Sequence, residues 1–561
     1  IYFKNAWRYR DYVVKSLNDD KPYDVFVQEQ LAGDELWPGN LNLEGKLLMP
    51  ESQRRKLEAR IGTGLFALGP QIHESNMDAE LIGYERLTDW VDTAGAAFLG
   101  LTVGCARCHD HKFDPISQRD YFALQAAFAP SGEFDEPIMT PMEQTDFKQH
   151  YPRIIAVDEA RRAIRLFEQA LAGRAPTSEE QTKLSTLRNA LAQTVLDMPG
   201  GATSAPGTPW DGIMELPTAT TLSRLRPGLI PTVRLLNRGE LSRPREEVSA
   251  AIPELLAFVT KSEPSLPSPD GSRAALARWL TRPDHPLTAR VMVNRIWQGH
   301  FGEGLVRTPN DFGKMGAPPT HPELLDWLAG QFVRRGWSVK DMHRLILNSA
   351  TWQMSSLSSD PRVVEADPDN RVLTRMNRRR LESEALWDAV HSATGMLNLK
   401  AGGRPVMPAL EPDELATIRD KYHWVVTADP TEHSRRGLYM MSRRNFRMPI
   451  FDVFDSPPNA VSTGRRDATT VAPQVLWTLN NRRVYRQAEL FAARLTREAG
   501  EDPAAQVDRA WQIAVGRRPT DTERAESRAL LDSLSATSSR SAALATFCLA
   551  LFNLNEFLYV E

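Results

Sequence analysis

Asp89–Pro115 reads DWVDTAGAAFLGLTVGCARCHDHKFDP, and two textures meet inside it. In its first half the apolar residues fall at helical spacing, with Trp90, Ala94, Phe98 and Leu101 along one stripe and Gly and Ala between them permitting close packing. Its second half sets Cys105, Cys108, His109 and His111 close together in a chain with only three cysteines. The stretch predicts a buried helix whose end presents a cluster of thiols and imidazoles.

Helical patterning continues on both sides, in WRYRDYVVKSL and in RDYFALQAAFA, so residues 1–150 read as a helical domain. Residues 151–198 read as a projecting hairpin of two amphipathic, charge-rich helices. Gly173 ends the first, and Thr177 with Glu180 has capping-box spacing at the start of the second. Residues 199–270, rich in Pro, Gly, Thr and Ser, carry strand-like pieces such as IPTVRLLNRG and read as a small β-containing linker segment. Helical patterning then dominates 271–561 around a loop-rich interval at 400–470, and Thr520 with Glu523 repeats the capping-box spacing. The expected fold is mainly α and multidomain, and a chain of 561 residues is long enough for several domains.

Composition narrows the function classes. Lys and Arg number 68 against 71 Asp and Glu, for a net charge of −3, which points to neither nucleic acid nor an anionic membrane. No window approaches the roughly 18 apolar residues of a membrane-spanning helix. The chain opens at Ile1 rather than Met, inside what reads as an element, so a trimmed N-terminus with a removed export signal is expected. Three cysteines make no disulfide framework, and Cys548 in ALATFCLALF reads as a small buried core residue.

C-x-x-C-H is the attachment signature of c-type haem: two thiols reach the two vinyl groups and the adjacent histidine binds the iron from below. Here these are Cys105, Cys108 and His109. Other chemistries remain open on spacing alone. A zinc ion held by Cys105, Cys108, His109 and His111 would crowd four ligands into one run, where zinc sites usually draw a second pair from afar. A thiol redox pair, a disulfide or inert thiols are the other readings. Met315, His300 and His321 are candidates for a sixth iron ligand, and an open sixth position would favour oxidative chemistry over electron transfer.

Two further stretches stand out. In VNRIWQGHFGEGLVRTPNDFG, the polar Asn294, Arg295, His300, Asn310 and Asp311 alternate with Trp297, Phe301 and Phe312, while Gly302, Gly304 and Gly313 permit tight turns. Such a mixture suits a sugar-binding cleft, and equally a buried Arg295–Asp311 ion pair. In RMNRRRLESEAL, Arg378, Arg379, Arg380, Glu382 and Glu384 read as a helical salt-bridge face rather than an anion site.

NAWRYRDYVVKSLNDDKPYDVFVQEQLAGDEL and FLGLTVGCARCHDHKFDPISQRDYFALQAAFAP together resemble the planctomycete-type cytochrome c domain of large exported proteins of Planctomycetes and their relatives. ARVMVNRIWQGHFGEGLVRTPNDFG, PPTHPELLDWLAGQFVRRGWSVKDMHRLILNSATW and NLNEFLYVE resemble the companion domain of unknown function that follows it. The resemblance implies one covalent haem c on Cys105, Cys108 and His109, with a periplasmic or cell-surface location. It also implies roles for Asp110, His111, Lys112 and Asp114 beside the haem, and a setting among polysaccharide-degrading proteins. The expected partners are a redox protein or cytochrome module and a polysaccharide. The competing expectation is a non-redox carbohydrate-active hydrolase or carbohydrate-binding protein with a structural metal at the CxxCHxH cluster. A third is a scaffold built on the helical hairpin.

Overall fold

The helical spacing near the N-terminus folds as the helices Ala6–Asn18 and Tyr23–Leu36, with Val27 and Leu31 fully buried one turn apart on the second. The structure is a computed structural model. It describes residue 3, residues 5–37, 51–70 and 78–137, scattered positions from 156 to 167, residues 176–196, and residues 218–560 apart from 269, 358–359, 417–423, 425, 428, 444–445 and 459–461. The protein is mainly α, as its sequence predicts. Among the described residues the strands form only small two-stranded antiparallel sheets.

Buried apolar side chains gather into two cores. The first spans Tyr23 to Met376 and includes the helices Ala79–Ala94, Gln118–Phe128, Ser272–Leu280, Thr288–Phe301 and Pro322–Arg334. The second spans Leu386 to Phe557, around Ser383–Thr394, Arg482–Ala499 and Arg540–Phe552. The helices from 272 to 347 thus complete the core begun by the N-terminal helices. The change of texture at 271 does not coincide with a boundary between cores.

A buried arginine shows how closely these stretches are joined. Arg273, with no exposed surface, donates to both carboxylate oxygens of Asp34 at 2.9 and 2.7 Å, to the Leu31 carbonyl at 2.7 Å and to Ser131 Oγ at 2.6 Å. The Leu31 carbonyl is available because Ala32 leaves helical geometry at φ −150°. Nearby, the Tyr23 ring lies 5.8 Å from Phe332 and 6.4 Å from Trp337, and the Tyr23 amide donates to the Trp337 carbonyl.

The second helix of the expected hairpin is present as Ser178–Leu196, with Thr177 and Glu180 forming the reciprocal cap. Most of the first helix, including Gly173, lies outside the described residues. In the 199–270 segment, Thr218–Arg224 pairs with Ser131–Pro137, and Arg234–Leu236 pairs with Pro244–Glu247. Cys548 is fully buried, and burial pushes its thiol pKa well up. No helix among the described residues is long and apolar enough to cross a membrane.

Candidate functional site

Helix Ala79–Ala94 buries Trp90 and Ala94, widens into a π turn at Gly95–Leu99, and stops at Gly100 in the left-handed region with φ 59°. The chain then makes a 3₁₀ turn, Val103–Arg107, capped by Cys108. A 3₁₀ turn has three residues per revolution, so positions three apart share a face. Val103 and Ala106 accordingly point into the core, while Cys105 and Cys108 are exposed and unpaired with each other. The expected delivery of the motif by a buried helix is what the structure shows.

The turn is held from both sides. Arg107 donates through Nε to the Tyr84 hydroxyl at 2.9 Å and through its fork to Glu85 at 3.2 and 2.5 Å. Gln118 Nε2 donates to the Arg107 carbonyl at 2.9 Å and to the Leu236 carbonyl at 2.8 Å. Cys108 Sγ lies against Gly239 in the 234–247 hairpin.

The two histidines of the motif have opposite protonation patterns. His109 is exposed, and its Nδ1 lies 2.7 Å from the Asp110 carbonyl oxygen. A carbonyl only accepts, so Nδ1 carries the proton and Nε2 keeps its lone pair. The His111 side chain is only 5% exposed, and its Nδ1 accepts backbone N–H groups of Asp114 at 2.9 Å and Phe113 at 3.3 Å. Its Nε2 therefore carries the proton, facing Thr102 Oγ1 at 3.3 Å. His109 keeps one ring nitrogen unengaged, and His111 is an internal brace of its loop.

Asp110 and Asp114 of DHKFDP also brace the structure. Asp110 Oδ1 accepts from the Gln118 amide at the start of helix Gln118–Phe128, at 2.8 Å. Asp114 Oδ1 accepts from the Lys314 amide at 2.6 Å, and its carboxylate fills the space where a side chain at Gly313 would stand. Lys112 is exposed, with Nζ 5.1 Å from the Phe113 ring centre. Beside the loop is a groove of about 510 Å³ lined by residues that include Asp110, Asp114 and Asp120 and the exposed Leu255 and Phe258.

The stretch from 291 to 313 interlocks with this motif. Arg295 donates to the Ala97 carbonyl at 2.5 Å, to the Ala96 carbonyl at 2.6 Å and to Asn310 Oδ1 at 3.1 Å, satisfying carbonyls in the π turn. The Phe312 amide donates to the Gly100 carbonyl at 2.7 Å. No Arg295–Asp311 ion pair forms, because Asp311 Oδ1 closes its own turn by accepting from the Gly313 amide at 2.9 Å. Asn294 is fully buried and clamps Val306 through both of that residue's backbone polar groups, at 2.9 and 2.8 Å. Trp297 and Phe301 stack at 4.3 Å inside the core, so they present no face to a sugar. His300 Nε2 is 2.8 Å from His343 Nδ1, and burial pushes its pKa down to about 4. His321 Nδ1 is 3.0 Å from Thr320 Oγ1, while Met315 is 61% exposed in the loop tied to Asp114.

RMNRRRLESEAL is not the helical face its composition suggests. Arg379 and Arg380 form a short strand paired with Val560 and Tyr559, and the helix begins only at Ser383. Glu384 pairs with Arg466 at 2.6 Å.

One acidic residue has no motif to announce it. The Asp92 carboxylate lies against Gly104, where an added methyl carbon would stand 2.7 Å from its oxygen, and Oδ1 has no hydrogen-bond partner. Burial raises its pKa from 3.8 to about 6. Between those values the folded state holds a proton that the unfolded state releases, so stability falls as pH rises and the deficit is complete above about pH 6. Asp92→Asn is expected to raise the unfolding free energy at pH 8 by roughly 2–3 kcal/mol and to change it little at pH 4. Urea titrations of both proteins at the two pH values check this.

Two families match the chain. PSCyt2, a protein of unknown function (DUF1549), matches residues 2–133. PSD1, a protein of unknown function (DUF1553), matches residues 272–531. No curated protein and no solved structure matches the chain. With the CxxCH turn inside the first match and the interlocking 291–313 stretch inside the second, the chain carries a PSCyt2 domain followed by a PSD1 domain.

Proposed function

We propose that this is an exported c-type haem protein acting in electron transfer or haem-dependent oxidation, in the service of complex polysaccharide breakdown. The observation that carries the reading is the 3₁₀ turn: it sets Cys105 and Cys108 on one exposed face and leaves the adjacent His109 with Nε2 free. This donor set fits haem c, with Cys105 and Cys108 as thioether anchors and His109 as the iron ligand. A bound haem would supply one-electron redox chemistry.

The chain's own residues position and tune that site. The Asp110 carbonyl fixes the His109 tautomer, as the outer hydrogen bond of a metal-binding histidine does. His111 and Asp114 keep the following loop in shape, and Phe258, 81% exposed, offers an apolar surface beside it. Attachment of haem through thioethers takes place outside the cytoplasm, so a periplasmic or cell-surface location accompanies the proposal, with a redox protein as partner.

The competing metal-site reading loses support from His111, both of whose ring nitrogens are engaged within the protein. Among the described residues no group of three His, Cys, Asp or Glu side chains could hold a metal ion. The test is expression in a host that exports and attaches haem, followed by a search for a Soret band that survives denaturation and organic extraction. A colourless protein from that host overturns the proposal.

Met315 is the sixth-ligand candidate that the structure ties to the motif loop, through Lys314 and Asp114. His300 is engaged with His343. Carbon monoxide added to the reduced, loaded protein would read whether a coordination position is open, and an unchanged spectrum would argue for electron transfer alone.

A further inference from the structure

The π turn Gly95–Leu99 comes just before the CxxCH turn, and the two touch. A methyl carbon added at Gly95 would lie 2.5 Å from Val103 Cγ2, at the start of the 3₁₀ turn. A π turn holds one residue more than an α turn and occurs mostly at functional sites. Here its support comes from far along the chain. Arg295, on helix Thr288–Phe301, donates through Nη1 and Nη2 to the Ala97 and Ala96 carbonyls. Val291 and Phe312 close on Gly100, where an added methyl carbon would stand 2.9 Å from each, and the Phe312 amide donates to the Gly100 carbonyl.

Arg295 is half-buried, and its charge is met by the oxygens of Ala96, Ala97 and Asn310 rather than by a carboxylate. The two carbonyls lie at the C-terminal end of the helix that begins at Ala79, the end at which the helix dipole favours a cation. Without the guanidinium these carbonyls lose their donors. Relaxation of the π turn to an α turn would then rotate the following segment by about 100°, one residue of helix. Cys105 and Cys108 would leave the face they now share.

We propose that Arg295 is a positioning residue for the thiol pair: acting through the π turn, it keeps Cys105 and Cys108 on one face. This gives the PSD1 match a part in the site, since Arg295 lies in that match and both thiols lie in the PSCyt2 match. The inference deepens the haem reading, because a porphyrin held by two thioethers needs both sulfurs on one side.

The test is binding of phenylarsine oxide to the whole chain, free of haem and fully reduced. The arsenical forms one As–S bond with each thiol, and its oxygen leaves as water with the two thiol protons. Its affinity therefore reads whether both sulfurs face the same way, and Cys548 is buried out of reach. The parent is expected to bind one equivalent and Cys105→Ser/Cys108→Ser none. Arg295→Met should bind about tenfold more weakly, as the second of two linked bonds loses its effective concentration. Arg295→Lys, which keeps the charge without the fork, should fall between them and decides the matter if Arg295→Met does not fold. Arg273→Met should unfold more easily yet bind as the parent does, because Arg273 bonds to no residue of the π or CxxCH turn. A parent that binds no arsenical, unchanged affinity in the deciding Arg295 variant, or equal weakening in Arg273→Met overturns the proposal. The assay needs no haem, so a chain that never acquires haem overturns the haem reading and leaves this result standing.

Discussion

Arg273→Met is expected to lower the unfolding free energy by about 3–5 kcal/mol, because it removes one member of a buried charge network and leaves the others behind. Asp34 loses both charge-assisted hydrogen bonds, Glu35 loses a cation 3.4 Å away, and the Leu31 carbonyl and Ser131 hydroxyl lose a donor. Methionine matches much of the volume but none of the hydrogen bonds. The damage should spread, because Arg273 lies in the PSD1 match while Asp34, Glu35 and Ser131 lie in the PSCyt2 match. Urea unfolding followed by tryptophan fluorescence should show a lower midpoint. Arg273→Lys should recover only part of the loss, since an ammonium cannot engage Asp34 with a fork. A shift below about 1 kcal/mol would mean that the two matches do not depend on one another for stability.

Replacing Cys105 and Cys108 together with serine is expected to abolish covalent haem completely. Expression in a host that attaches haem outside the cytoplasm should give a parent protein whose Soret band survives denaturation and extraction, and a double variant with none. Each single variant should lose one thioether and shift the haem spectrum accordingly. His109→Ala should retain the anchors but lose the axial ligand, a spectral change distinct from that of either serine variant. Both thiols are exposed, so the unfolding midpoint of the haem-free double variant should match that of the haem-free parent. A parent protein that never acquires the band would return the turn to the other thiol chemistries its spacing permits.

Local signals were legible where their partners are close in the chain. The stripe of Trp90, Ala94, Phe98 and Leu101 is buried as its spacing predicts. The Thr520–Glu523 capping box forms, as does Thr177–Glu180, because both need only one turn of backbone. Arg295 shows the other case. Its natural partner by sequence is Asp311, yet its guanidinium goes to carbonyls at 96 and 97, which a π turn leaves open far away in the chain. The RMNRRRLESEAL stretch departs from helix for the same reason: its strand partner is Tyr559–Val560, far along the chain.

The sequence by itself determined the mainly α class, the buried helix, the pairing of two family domains and the identity of the thiols and histidine to examine. The tertiary structure alone decided which polar residues remain available. It spent His111, Asp114, Asn294 and Asp311 on backbone hydrogen bonds, left His109 Nε2 unengaged and set the Asp92 carboxylate against the turn at Gly104. The physical reason is that periodicity and capping act over a few residues. The competition of a polar side chain among backbone, ion pair and solvent is settled only when distant segments meet.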